Sequence, residues 1–228
     1  DCIVLGAGIV GVSAAIHLAQ RGRSVVLVDR RSPGEETSFG NAGLIQREGV
    51  RPYAFPRDFG KLLHYSLNTS TDMVYRPSAL PGLAPFLLRY WWHSEPRRYA
   101  AITQHYARLI EHSVSEHNAL IRAAGAEALI VKDGWYRIYR TPARRDAGFA
   151  EAELVAREFG LGHRALDGAA MAALEPGLQQ ELAGAVHWTD PWSVNDPNAL
   201  VMSYFRLFER LGGVFRNGDA TSLAARSA

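Results

Sequence analysis

Hydrophobic periodicity changes twice within the first thirty residues. Cys2 to Leu5 (CIVL) and Val25 to Val28 (VVLV) are unbroken apolar runs, the pattern of parallel strands covered on both faces. Between them, GAGIVGVSAAIHLAQRG predicts a helix from Ile9 to Arg21, with Val10, Ala14 and Leu18 on one stripe and Gly22 as its stop. Strand, helix and strand make a βαβ unit. Farther along, Tyr99 to Ala124 keeps apolar residues at helical spacing and predicts one long helix. Leu129 to Val131 and Trp135 to Tyr139 flank Lys132-Asp133-Gly134 and predict a β-hairpin in a second lobe. Ala143 to Phe159 predicts a helix closed by Gly160, and Gly184 to Trp188 a strand. Asp196-Pro197 starts a helix that Gly212-Gly213 ends, and Val214-Phe215-Arg216 returns as a strand.

The glycines of the βαβ unit sit at its joint. Gly6, Gly8 and Gly11 form GxGxxG, with Ala7, Ile9 and Val10 between them. The first glycine allows a tight turn, the second lets backbone approach a pyrophosphate, and the third lets the helix pack closely. Unpaired N–H groups at the helix N-terminus then face the phosphates. Asp29 ends the second strand, where a carboxylate accepts hydrogen bonds from an adenosine ribose and repels a 2′-phosphate. A dinucleotide without a 2′-phosphate is expected. Arg30 and Arg31 either flank the adenine or are solvated.

An NAD domain of the simple doubly wound kind needs a second crossover helix and a third apolar strand soon after Asp29. Residues 46–80 show neither, only prolines, scattered aromatics and polar clusters. In that place stands ETSFGNAGLI, Glu36 to Ile45, whose small residues can run along a pyrophosphate and the edge of a bulky ring. That favours a flavin.

GAGIVGVSAA, Asp29-Arg30 and ETSFGNAGLI together resemble the FAD-dependent amino-acid oxidoreductases of the D-amino acid oxidase superfamily, and most closely the bacterial D-amino acid dehydrogenase small-subunit type, which has a similar TSxxNAG segment. RPYAFP (51–56), ALEPGL (173–178), NDPNAL (195–200) and GGVFR (212–216) extend the resemblance through most of the chain. It implies an α/β fold: a Rossmann-like FAD-binding βαβ domain with an inserted α+β substrate lobe, incomplete at the C-terminus. The expected segments are 1–50 for the FAD-binding domain, 51–190 for the substrate lobe and 191–228 for the return.

The resemblance also implies FAD as cofactor and oxidative deamination of a D-amino acid by hydride transfer from its α-carbon to the flavin. Gly6, Gly8, Gly11 and Asp29 would hold the ADP half; Ser38, Asn41, Ala42 and Gly43 the pyrophosphate-to-flavin half; and Ala220 would place backbone against the adenine. Leu44 and Gln46 would face the ring or the substrate, with Tyr53 a further substrate-side candidate. No residue is nominated as catalytic. Glycine, sarcosine or hydroxyproline oxidation within the same superfamily remains open, as does a noncatalytic NAD- or FAD-binding module.

Composition narrows the partners. The net charge of +2 over 228 residues comes without any block of like charges, which argues against nucleic acid. Cys2 is the single cysteine and is expected to be a buried thiol. LAPFLLRYWW (83–92) is about half the length of a membrane span and contains Arg89. A packed helix is expected there, with an interfacial anchor or partner surface as the alternative, so peripheral association with the inner face of a membrane stays open for a cytoplasmic protein. His105, His112 and His117 lack the spacing of a metal set, and none is expected to bind one. No GxSxG, HExxH, CxxC or Walker lysine motif occurs, leaving the chemistry to a cofactor.

Overall fold

A computed structural model describes residues 1–69, 73–178 and 180–222. The elements in chain order are β1 (Cys2–Leu5), α1 (Ile9–Gln20), β2 (Val25–Asp29), β3 (Leu44–Ile45), α2 (Phe59–Ser66), α3 (Leu80–His93), α4 (Pro96–Ile110), α5 (Ser113–Ala124), β4 (Ile130–Val131), β5 (Trp135–Tyr139), α6 (Pro142–Phe159), β6 (His163–Asp167), α7 (Gly168–Leu174), β7 (Gly184–Trp188), β8 (Trp192–Val194), α8 (Pro197–Arg210) and β9 (Val214–Asn217). They form two compact units, 1–48 with the described part of 112–228, and 49–111.

In the larger unit a parallel sheet runs in the order β1–β2–β9, with Cys2 opposite Val25 and Val26 opposite Val214. The βαβ unit and the returning strand are therefore as expected. One face of this sheet carries α1, whose Val12, Ala15 and Ile16 pack with Leu27 of β2, Ile121 of α5 and Val201, Tyr204 and Phe208 of α8. Burying each large apolar side chain contributes about 1.5–3 kcal/mol. The expected stripe of Val10, Ala14 and Leu18 is corrected: Val10 is 79% exposed and Ala14 is exposed. The buried face is the one that carries Val12, Ala15 and Ile16, which pack in one cluster with residues of α5 and α8.

Coverage of β1 on both faces is likewise corrected. Cys2 and Val4 pack against the core, but Ile3 is 68% exposed and Leu5 is exposed. β1 is an edge strand among the described residues, and Cys2 is half-buried rather than buried.

Two antiparallel sheets, β3–β8–β4 and β5–β7–β6, complete this unit. The expected hairpin is absent: β4 pairs with β8 and β5 pairs with β7, so the turn at 132–134 separates two sheets instead of joining paired strands. Gly134, at φ +69°, lies against the Trp188 carbonyl, which steers the chain into the second sheet. The expected long helix is also divided, into α4 and α5. Ser113 Oγ donates to the Gln46 carbonyl (2.8 Å) and Ser115 Oγ to the His112 carbonyl (3.0 Å), so serines compete with the helical ladder at the break. Asp196 caps α8 by accepting from the Ala199 amide (2.9 Å), as expected.

The smaller unit contains α2, α3 and α4. Tyr90 Oη donates to the Tyr53 carbonyl (2.8 Å), Tyr99 Oη to the Pro52 carbonyl (2.6 Å), and Ser94 Oγ accepts from the Phe55 amide (2.8 Å). These bonds hold RPYAFP. α3 is helical over 83–92 as expected, but none of its residues is buried, so it is not a packed core helix.

Candidate dinucleotide site

Because β1, β2 and β9 are parallel, the segments leaving them emerge at one edge, where ligands of open α/β sheets bind. Asp29 faces Asn217 in register, and the Gly218 amide donates to the Asp29 carbonyl (2.9 Å). A cleft of roughly 250 Å³ opens there, lined by Gly6, Val28, Asp29, Arg30, Gly218, Asp219, Ala220 and Thr221. Four residues expected at a nucleotide, Gly6, Asp29, Arg30 and Ala220, thus meet from three separated segments.

Local geometry explains the glycines. Gly6 adopts φ +97°, a left-handed conformation that favours glycine. A Cβ on Gly11 would collide with the Gly6 carbonyl oxygen, so the third glycine answers to the turn itself more than to the sheet. A Cβ on Gly8 would stand 3.2 Å from Ser38 Oγ. Asp29 Oδ2 accepts from the buried Ala7 amide (2.6 Å) and Oδ1 from the Arg31 amide (3.2 Å), which fixes the carboxylate at the cleft wall. Gly8 offers α1 no side-chain cap, but buried Ser38 Oγ accepts from the Ile9 amide (3.0 Å).

A second, smaller cleft of roughly 100 Å³ joins Ile9 of α1 to Ser38, Asn41, Gly43, Leu44 and Ile45, with His117, Val194, Pro197, Leu200 and Val201 opposite. Asn41 Oδ1 accepts from the Gly43 amide (2.8 Å), which tightens the loop. Ala42 is exposed beside it and Val10 points to solvent; neither lines the two clefts. Gln46 directs its side chain to Glu48 (2.8 Å). Tyr53 belongs to the other unit and its ring is 93% exposed.

Charge around the first cleft is ordered by ion pairs. Arg30 makes a two-pronged contact with Glu36, Nε to Oε1 at 2.9 Å and Nη2 to Oε2 at 3.1 Å, and Arg31 Nε approaches the same carboxylate at 3.2 Å. Arg31 therefore turns to Glu36 and is not part of the cleft lining. The hydrogen bond from Arg30 holds Glu36 below the usual carboxylate range and raises Arg30 in turn. The Thr221 backbone amide, then its hydroxyl, lowers Asp219. Burial lowers His117, which lines the second cleft, and raises Tyr204 of the core, whose hydroxyl lies 3.0 Å from His117 Nδ1 and donates to the His117 carbonyl (3.2 Å).

Asp219, Thr221 and His117 were not nominated from sequence. The Asn217-Gly218-Asp219 turn directly after an apolar strand was a usable signal for the first two. His117 had none, since its place depends on α5 packing against α8.

An acidic residue beside a glycine turn, a helix start without a side-chain cap at Gly8, and a long run of small residues fit a dinucleotide with a bulky second half. The fold around the site is of the doubly wound α/β class, with a parallel sheet and a glycine turn between β1 and α1. Residues 1–228 match the family described as "FAD dependent oxidoreductase" (DAO), and the chain belongs to it. D-amino acid dehydrogenase of Chromohalobacter salexigens is 30% identical over 192 residues, covering 82% of this chain and 46% of the relative. The Phenylobacterium zucineum protein of the same name is 35% identical over 177 residues, covering 77% and 41%. The chain thus spans less than half the length of these curated relatives. Among solved structures, iminodiacetate oxidase from Chelativorans sp. BNC1 (TM-score 0.60, 21% identity) covers 94% of this chain and 46% of its own. Glycine oxidase from Geobacillus kaustophilus (TM-score 0.59, 17% identity) covers 94% and 45%. These two share the fold.

Proposed function

We propose that the protein oxidises D-amino acids to imino acids, which water converts to 2-oxo acids and ammonia, and that this chain carries its nucleotide-binding side. The observation that carries this reading is the convergence of Gly6, Asp29 and Ala220 on one cleft at the C-terminal edge of the parallel sheet, in a chain related to D-amino acid dehydrogenases. Bound flavin would supply the two-electron acceptor for the hydride leaving the α-carbon.

The chain's own part is to bind and orient. Gly6, Ala7, Gly8, Ile9, Val10 and Gly11 would present the turn and the start of α1 to the pyrophosphate. Asp29 and the backbone at Ala220 would hold the adenosine, with Arg30 and Arg31 at its border. Ser38, Asn41, Ala42 and Gly43 would follow the dinucleotide toward its flavin end. Leu44, Gln46 and Tyr53 are proposed on the substrate side, where orientation of the Cα–H bond supplies most of the acceleration. Residues 1–50 and 191 onward would serve the nucleotide, and 51–190 the substrate.

No helix among the described residues is long and apolar enough to cross a membrane. Peripheral association at the inner face is proposed from α3, which exposes Phe86, Leu88 and Trp92, while Arg98 stacks on Trp92 (3.8 Å) and Arg57 on Trp91 (4.1 Å). Flotation with anionic vesicles tests that point.

The activity is tested by offering a panel of D- and L-amino acids with an artificial electron acceptor and following peroxide in parallel. Acceptor reduction confined to D-amino acids supports the reading. Turnover of glycine or sarcosine alone, or bound NAD in place of a yellow cofactor, would overturn it.

A further inference from the structure

We infer that Glu48 recognises the ammonium group of the amine substrate, an assignment that rests on the deamination reading above. Glu48 is only 8% exposed. Its Oε1 accepts from two neutral donors, Gln46 Nε2 and Trp135 Nε1, each at 2.8 Å. Its Oε2 is buried with no hydrogen-bond partner.

A buried acceptor without a donor costs free energy, and a buried carboxylate without a cation costs more. One ligand class meets both needs: a compact N–H donor with positive charge. Two fixed donors on Oε1 orient the carboxylate, so Oε2 is held in place without a partner from the fold. The segment that carries Glu48 continues directly from Leu44, which lines the smaller cleft with Ser38 and Asn41. Gln46, already a substrate-side candidate, acts here as a positioning residue for Glu48.

The test compares wild type, Glu48→Gln and Glu48→Asp in the flavin-loaded protein. Glutamine keeps an oxygen for Gln46 and Trp135 but removes the charge, so the fold should survive, which a melting curve checks. Dissociation constants are measured for D-alanine, from the concentration dependence of anaerobic flavin reduction, and for propionate, from the shift in flavin absorbance. Glu48→Gln should weaken D-alanine by roughly 10- to 100-fold and leave propionate unchanged, with partial rescue in Glu48→Asp. Equal weakening of both ligands, or of neither, overturns the assignment. Failure of every D-amino acid to reduce or perturb wild-type flavin overturns the deamination reading instead. In that case ethylammonium is titrated against indole emission, with Trp135→Phe as control. Saturable binding lost in Glu48→Gln then supports the ammonium site, and its absence in wild type removes it.

Discussion

The Gly43 carbonyl accepts from the Val194 amide at 2.7 Å, and a Cβ added at Gly43 would stand 2.5 Å from the Val194 carbonyl oxygen. Gly43 also holds φ +63°. Its small size therefore serves the contact of the ETSFGNAGLI loop with β8 first, and any passing cofactor second.

That relationship predicts a stability effect at Gly43. Gly43→Val combines a left-handed conformation with a backbone clash and should cost about 3 kcal/mol or more, seen as a lower thermal midpoint even without cofactor. Gly40, at φ +67° with open space around it, should lose only about 1–2 kcal/mol as alanine. Equal melting curves for the two variants would show that β8 does not constrain the loop.

Gly8 and Gly11 should separate folding from binding. Gly11→Ala meets the Gly6 backbone and should destabilise the protein by about 1–3 kcal/mol. Gly8→Ala meets only the Ser38 hydroxyl at 3.2 Å, so the melt should move little while FAD affinity drops. Titration of the apoprotein with FAD reads the second effect. Undiminished affinity in Gly8→Ala would place the pyrophosphate away from this turn.

Asp29→Ala should weaken FAD by about 1–3 kcal/mol, the usual effect of losing a hydrogen bond to a charged group. It also leaves the Ala7 amide without its acceptor. Asp29→Asn keeps an oxygen for that amide and isolates the effect on the ligand. Flavin fluorescence gives the dissociation constants, and unchanged values for both variants would put the ribose elsewhere.

Acid should weaken the fold through His117. Burial lowers its pKa from 6.5, so between the folded value and 6.5 the unfolded chain binds the extra proton. The stability from a neutral His117 is complete above pH 6.5 and falls as pH drops through 6.5 toward the folded pKa. Between pH 7.5 and 5.5 the thermal midpoint of wild type should fall more than that of His117→Leu. Parallel curves would show that His117 does not titrate in this range.

Sequence alone determined β1, α1, β2, α6, β7, α8 and β9, because each rests on local signals: apolar runs, helical period, the Asp196-Pro197 start, and the Gly22, Gly160 and Gly212 stops. It also determined the glycine turn and Asp29, since one βαβ unit contains both. Tertiary structure decided what depends on partners far along the chain. The burial of Val12 and Ile16 in place of Val10 and Ala14 follows from where α8 lies. The strands at 130–131 and 135–139 look like a hairpin, yet the first pairs with 193–194 and the second with 184–188, in separate sheets. Asp219 and Thr221 reach Asp29 only through the β2–β9 register, and His117 reaches the smaller cleft only through α5 against α8. Side-chain burial and strand partnership are set by long-range packing, which no local pattern encodes.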